Sequence, residues 1–84
     1  MLSEGVTQKV IALIAELQQI PPEEITLDSS FEEVQMDSLA ALGLISELED
    51  EYHITIPDEE IANIRLVRDV VEKLEMALVK KATV

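Results

Sequence analysis

The sequence predicts an all-α fold: a four-helix bundle with three main helices and one short helix III. Three observations predict it. Apolar residues recur at helical spacing in three separate windows. The chain holds only 2 glycines and 3 prolines, which argues for few tight turns and against a β-rich fold. Hydrophobic residues make up 48% of it and aromatics only 2%, so the core must be aliphatic. Its 84 residues are enough for one small domain, taken as 1–84.

In the first helix, Val6, Val10, Leu13, Ile14 and Leu17 share one face. Ser3 can cap its start. Pro21 and Pro22 end it, because proline disfavours helical backbone in the residue before it, so the helix spans about 4–18. Residues 19–37 then form a connection longer than the usual helix–helix link. Ile25, Leu27, Phe31 and Val34 are spaced through it and should pin it onto the core; a flexible linker would not carry four large apolar groups.

The second main helix spans about 38–52, with Ala41, Leu44, Ile45, Leu48 and Tyr52 as its core stripe. Leu39 and Leu42 fall well round from that stripe, on the side of Gly43, Ser46, Glu49 and Asp50. The first turns of this helix are therefore apolar nearly all round, and either a neighbouring loop or a partner covers the second patch. Ile54 and Ile56 form a β-branched dip too short for a strand. Asp58 reads as the N-cap of the short third helix, about 58–63. Val67, Val70, Val71, Leu74 and Leu78 mark the last helix, about 67–80, with Lys80 and Lys81 at its negative end.

The net charge is −12, and every Lys and Arg lies at or before Lys9 or at or after Arg65. Such a surface repels nucleic acid and anionic membranes and attracts basic partner surfaces. Acids that merely keep a small protein soluble are the bland alternative, but their segregation favours a basic partner. No apolar run approaches membrane-spanning length, and the N-terminus lacks the regions of a signal peptide, so a cytoplasmic location is expected.

Several chemistries are disfavoured. The adjacent acids Glu23-Glu24, Glu32-Glu33 and Glu59-Glu60 read as surface charge. The acidic loop 28–37 lacks the central glycine of a calcium loop. With no cysteine and only His53, a zinc site is not expected. Ser38 and His53 stand at opposite ends of one helix, so they do not form a nucleophilic pair. No catalytic or metal-ligating residues are expected, and the chain reads as a substrate for enzymes rather than an enzyme.

The informative stretch is Met36-Asp37-Ser38-Leu39, where a polar loop enters an apolar helix. Asp37 is a good N-cap, since its carboxylate can accept from the backbone N–H groups of the first turn. Ser38 then lies at the positive end of the helix, where a phosphate joined to its hydroxyl would be favoured. Taken alone, Asp-Ser-Leu is an ordinary capped helix start. Its context includes Phe31 upstream, an acidic run ending in Tyr52, and Ile54-Thr55-Ile56-Pro57-Asp58-Glu59-Glu60-Ile61 beyond.

Together these residues resemble the acyl carrier proteins of fatty-acid and polyketide synthesis, over nearly the whole chain. The resemblance implies a four-helix bundle in which Ser38, flanked by Asp37 and Leu39, bears a 4'-phosphopantetheine arm. A phosphopantetheinyl transferase would attach it, and the arm's thiol would carry acyl groups as thioesters in fatty-acid, lipid or polyketide synthesis. Further partners would be acyl transferases, ketoacyl synthases or related enzymes with basic docking surfaces, meeting Leu39, Leu42, Ser46, Glu47, Glu49 and Asp50. Neither nucleic-acid binding nor membrane insertion is expected, and the protein is expected to be a monomer. An acyl cavity would be lined by Phe31, by Leu44, Ile45 and Leu48 of the second helix, and by Ile56, Ile61, Ala62, Leu66 and Val71.

Three departures from the family pattern stand out. Val34 and Gln35 occupy positions where Leu-Gly is common, which bears on the loop conformation before Ser38. The Phe31-to-Ser38 spacing is one residue shorter than in typical bacterial fatty-acid carriers. Ala40 and Gly43 stand where those carriers usually have acids. These departures point to a specialised pathway. The competing reading is a small acidic helical interaction module that binds a basic partner through the second helix without modification.

Overall fold

The computed structural model describes residues 4–82, so the Ser3 cap lies outside the described residues. The helices are α1 (Glu4–Gln18), α2 (Ser38–Tyr52), α3 (Asp58–Ile61) and α4 (Val67–Ala82), with a 3₁₀ turn at Pro22–Glu24. The bundle therefore has the expected order of three long helices and one short one. Among the described residues, no helix is long and apolar enough to cross a membrane.

The core is aliphatic. Val10 and Ile14 of α1, Leu44 and Leu48 of α2, and Val67, Val70, Val71 and Leu74 of α4 are all fully buried. These are the positions marked by helical periodicity, so burial of three amphipathic stripes against one another accounts for the bundle. Leu13 and Leu78 pack at its margin. Leu17 departs from expectation: it is 46% exposed, while Ala15 is buried. The chain turns back at Gln19, in left-handed backbone at φ 56°. The Ile20 N–H then returns to the Ala15 carbonyl, and Ile20 packs against the core at that end.

The long connection is ordered rather than loose. Ile25, Phe31 and Val34 are buried, Leu27 packs against the core, and Met36 is buried too, which periodicity did not indicate. Three backbone hydrogen bonds tie this connection to the entry of α4. Phe31 N donates to Arg65 O at 3.0 Å, Val67 N to Ser29 O at 2.9 Å and Arg68 N to Leu27 O at 2.9 Å. They surround a single antiparallel bridge between Ser30 and Leu66.

The short helix differs in detail from its expected form. Pro57, not Asp58, stands at the N-cap, and α3 closes at Ile61. The Pro57 carbonyl accepts from both Glu60 and Ile61, which makes Asp58 the first helical residue and leaves its acid in the favoured first turn. At the other end of the chain, α4 runs to Ala82, past its expected limit. Lys81 Nζ donates to the Tyr52 carbonyl at 3.0 Å, so the last turn of α4 satisfies the end of α2.

The segregated charges meet again in the fold. Lys9 pairs with Glu51, Arg68 with Asp28 and Lys73 with Glu60, each joining a terminal cation to an acid of the 10–64 interval. The Lys9 ammonium holds the Glu51 carboxyl below the usual carboxylate range, chiefly through their hydrogen bond. The stabilisation this gives is present at neutral pH and is lost as pH falls through the lowered Glu51 value. Both side chains are exposed, so water and salt weaken the effect.

Fully buried Leu48 and 48%-exposed Leu42 make a direct test of this packing. Leu48→Ala should cost roughly 2–5 kcal/mol in denaturant unfolding, the range for deleting a buried leucine side chain. Leu42→Ala should cost much less, and equal losses would place Leu42 in the core.

Candidate functional site

The site begins with a cap. Asp37 stands at the N-cap of α2 in extended backbone, and its Oδ1 accepts the Ala40 N–H at 2.8 Å. Ser38 is the first helical residue and is exposed. Its hydroxyl thus lies on the positive end of a fully formed helix whose opposite face is anchored in the core. His53 caps the far end of the same helix, about 20 Å away along its axis.

What delivers Ser38 to that position is a short folded loop. Ser30 and Glu33 cap one another: Ser30 N donates to Glu33 Oε1 at 2.8 Å, and Glu33 N to Ser30 Oγ at 3.0 Å. Met36 N returns to the Phe31 carbonyl at 2.8 Å. The turn closes at Gln35, in left-handed backbone at φ 60°. The glycine-type conformation is therefore kept without a glycine. Gln18 on α1 supports it from behind, its Nε2 donating to Gln35 O at 2.8 Å and to Val34 O at 3.3 Å. Neither Gln18 nor the left-handed turn was evident in the sequence, although Gln35 marked the position.

An open cleft of about 630 Å³ lies beside Ser38. Phe31, Ile45, Ile61 and Ala62, four of the nine expected cavity residues, line it. Met36, Ala41, Leu42 and Ile64 complete its apolar wall, and Asp37 and Asp58 supply carboxylates. Leu44, Leu48 and Val71 do not line it; they are fully buried in the bundle core. Leu66 sits at the bridge to Ser30, and Ile56 lines a different cleft. Helical spacing marks these residues as inward-facing but cannot separate a packed interior from a cleft wall.

The outer face of α2 carries the remaining expected contacts. Leu39 is 78% exposed and Leu42 half-exposed, so among the described residues no loop covers the second apolar patch. Ser46, Glu47 and Asp50 are exposed beside it. Glu49 has a task within the fold: its Oε2 accepts the Ile56 N–H at 2.7 Å and holds the segment that leaves α2.

Comparison with known proteins points in one direction. Residues 8–74 match the family described as "Phosphopantetheine attachment site". The chain is similar to an acyl carrier protein of Rickettsia bellii, strain RML369-C, with 40% identity over 73 residues, 86% of this chain and 85% of the relative. It is 38% identical over 76 residues to the meromycolate extension acyl carrier protein of Mycobacterium leprae, strain TN, covering 86% of this chain and 66% of the relative. Among solved structures, an acyl carrier protein from Thermotoga maritima superposes with a TM-score of 0.70 at 28% identity, covering 94% of this chain and 99% of that one. The mupirocin didomain carrier gives a TM-score of 0.79 at 22% identity over 93% of this chain and 43% of that one, a likeness of fold alone.

Left-handed backbone costs a non-glycine residue about 1–2 kcal/mol, and glycine gives back about 0.5–1 kcal/mol through the unfolded chain. Gln35→Gly should therefore raise the unfolding free energy, by up to about 1.5 kcal/mol. Denaturant unfolding checks this, and a clear loss of stability would show that the Gln35 side chain contributes more than its backbone strain removes.

Proposed function

The chain belongs to the acyl carrier proteins, and from that membership we propose that Ser38 is the residue to which its 4'-phosphopantetheine is attached. The observation that carries this reading is the exposed Ser38 hydroxyl at the capped start of α2, beside an open cleft. A phosphodiester there faces the positive end of the helix. Asp37 fixes the first turn, and Leu39 extends outward beside the attachment point. When bound, the arm supplies the terminal thiol that carries acyl groups, a function for which this cysteine-free chain has no sulfur nucleophile of its own. The apolar cleft walls from Phe31, Ile45, Ile61 and Ala62 offer shelter for a short acyl chain. Under this reading residues 1–84 act as one carrier domain, a monomer in the cytoplasm, and serve as a substrate of other enzymes rather than as a catalyst.

We further infer that partner enzymes meet the outer face of α2. Leu39 and Leu42 give apolar contact, while Ser46, Glu47 and Asp50 set orientation against a basic surface. The partners fitting this face are a phosphopantetheinyl transferase and then acyl transferases, ketoacyl synthases or related enzymes. Ala40 and Gly43 leave the turns nearest Ser38 neutral, which supports service in a specialised pathway.

Two measurements test these readings. Incubation with coenzyme A, Mg²⁺ and a broad-specificity transferase should add one arm to the wild type by intact mass, and none to Ser38→Ala. No addition to the wild type by a transferase competent on another carrier favours the unmodified interaction module. The second measurement uses Ala40→Asp with Gly43→Glu; a Cβ at position 43 meets no atom within 4 Å, so the change is sterically free. The double variant, confirmed as holo by mass, should be turned over better by a general fatty-acid ketoacyl synthase. Wild-type turnover equal to that of an ordinary fatty-acid carrier would overturn the specialised-pathway reading.

A further inference from the structure

The loop that leads into α2 is tied to the bundle by backbone near its start and by a side chain near its end. Phe31 N reaches Arg65 O at the entry of α4. Further on, Val34 N donates to Ser30 O, Gln35 N to Glu32 O and Met36 N to Phe31 O, and all three bonds close the loop on itself. Among the described residues, the only hydrogen bonds that tie residues 32–36 to another helix are the two donated by Gln18 Nε2. They run 2.8 Å to Gln35 O and 3.3 Å to Val34 O. Both acceptors are carbonyl oxygens, so the nitrogen of the Gln18 amide must face them, and its two hydrogens match the two acceptors. Val34 is buried, which leaves its carbonyl little water to turn to. The base of this strut is firm. Gln18 is the last residue of α1, and Ile14 and Ala15, one turn earlier, are buried in the core.

The strut stands where the backbone is strained. Gln35 holds left-handed backbone at φ 60°, a conformation that a Cβ opposes, and it lies three residues before Ser38. With its carbonyl released, the turn can relax. The Asp37 cap does not prevent this, because Asp37 Oδ1 bonds to Ala40 N within the same turn and would move with it. Buried Met36 keeps the loop on the bundle, so the change is a local adjustment rather than unfolding. Further along α2, Leu44, Ile45 and Leu48 hold the helix in the core. Loss of the Gln18 contact therefore displaces the first turn of α2 and leaves the rest of its outer face in place.

Attachment of the arm is sensitive to such a shift. The transfer forms a bond from Ser38 Oγ to the phosphorus of coenzyme A that bears pantetheine. It breaks the bond from that phosphorus to the departing adenosine bisphosphate, and the serine proton passes to a base of the transferase. The attacking oxygen must stand in line with the leaving one, and a misplacement of about 1 Å can cost on the order of a hundredfold in rate. We propose, on the reading of Ser38 as the attachment site, that Gln18 is a positioning residue for this transfer. It holds the strained turn at Gln35 and so presents Ser38 Oγ to the docked transferase.

The test is single-turnover transfer from coenzyme A with Mg²⁺ and excess transferase, followed by intact mass over a range of transferase concentrations. Gln18→Leu, similar in size but without a donor, should lower the limiting rate several-fold and leave the half-saturating transferase concentration unchanged. Gln18→Glu, which turns an oxygen toward the two carbonyls, should lower the limiting rate at least as far. A role confined to stability gives the opposite split: a partly unfolded carrier raises the half-saturating concentration without lowering the limiting rate. The double variant Gln18→Leu with Gln35→Gly separates positioning from direct contact with the transferase. Glycine enters left-handed backbone freely, so the turn no longer needs holding and the limiting rate should recover most of its loss. Melting curves establish that each variant is folded. An unchanged limiting rate in the folded single variants, or no recovery in the double variant, would overturn the proposal and leave the Ser38 assignment standing. A wild type left unmodified by a transferase competent on another carrier would overturn the Ser38 assignment, and this proposal with it.

Discussion

The connection between α1 and α2 is held to the entry of α4 by three backbone hydrogen bonds, and the rest of the structure depends on that attachment. Each such bond contributes about 0.5–1.5 kcal/mol net, too little alone to order so long a segment against its conformational entropy. Burial of Ile25, Phe31, Val34 and Met36 supplies the remainder, and the bonds set the register in which those side chains enter the core. Because Phe31 is fixed from both sides, by Arg65 and by Met36, the turn that follows has one place to end. That place is Asp37, and the capped start of α2 follows from it. The position of Ser38 is thus set by contacts distant in sequence, although its identity as a helix start is local.

The same helix serves three purposes without conflict because its faces are chemically distinct. Leu44, Ile45 and Leu48 are locked in the bundle, Leu39 and Leu42 are left to water, and the acids between them keep the exposed face soluble. An exposed leucine pair would ordinarily be a liability; on a strongly anionic molecule, self-repulsion opposes its pairing with a second copy. The left-handed residues Gln19, Gln35 and His53 show where the chain turns sharply without glycine. Two of them terminate α1 and α2, and the third shapes the approach to Ser38.

Much of this was legible in the sequence because much of it is periodic. The stripes of α2 and α4, the anchors in the long connection and the Asp37 cap all depend on residue type and spacing over a few turns. The parts that escaped depend on neighbours. Leu17 has helical spacing but lies in the last turn of α1, and it is Ile20, after the reversal at Gln19, that packs against the core at that end. Leu44, Leu48 and Val71 look the same in sequence as Ile45 and Ile61, yet only the latter two reach the cleft beside Ser38. Glu49 reads as one more surface acid until the Ile56 amide is seen beside it. The boundary of α3 shifted because a proline carbonyl can close a turn whose cap was assigned by side-chain preference.

The four-residue α3 stands between the two clefts. Asp58, Ile61 and Ala62 line the one beside Ser38, while Pro57 and Glu60 line the second cleft, the one that Ile56 reaches. A single helical turn has few internal hydrogen bonds to resist displacement, so its position is set by what packs on either side. It is therefore a wall common to both clefts. A shift of that one turn would reshape both clefts together, and for two ligands that each favoured a different position of α3 linkage would make the effect on affinity equal in both directions.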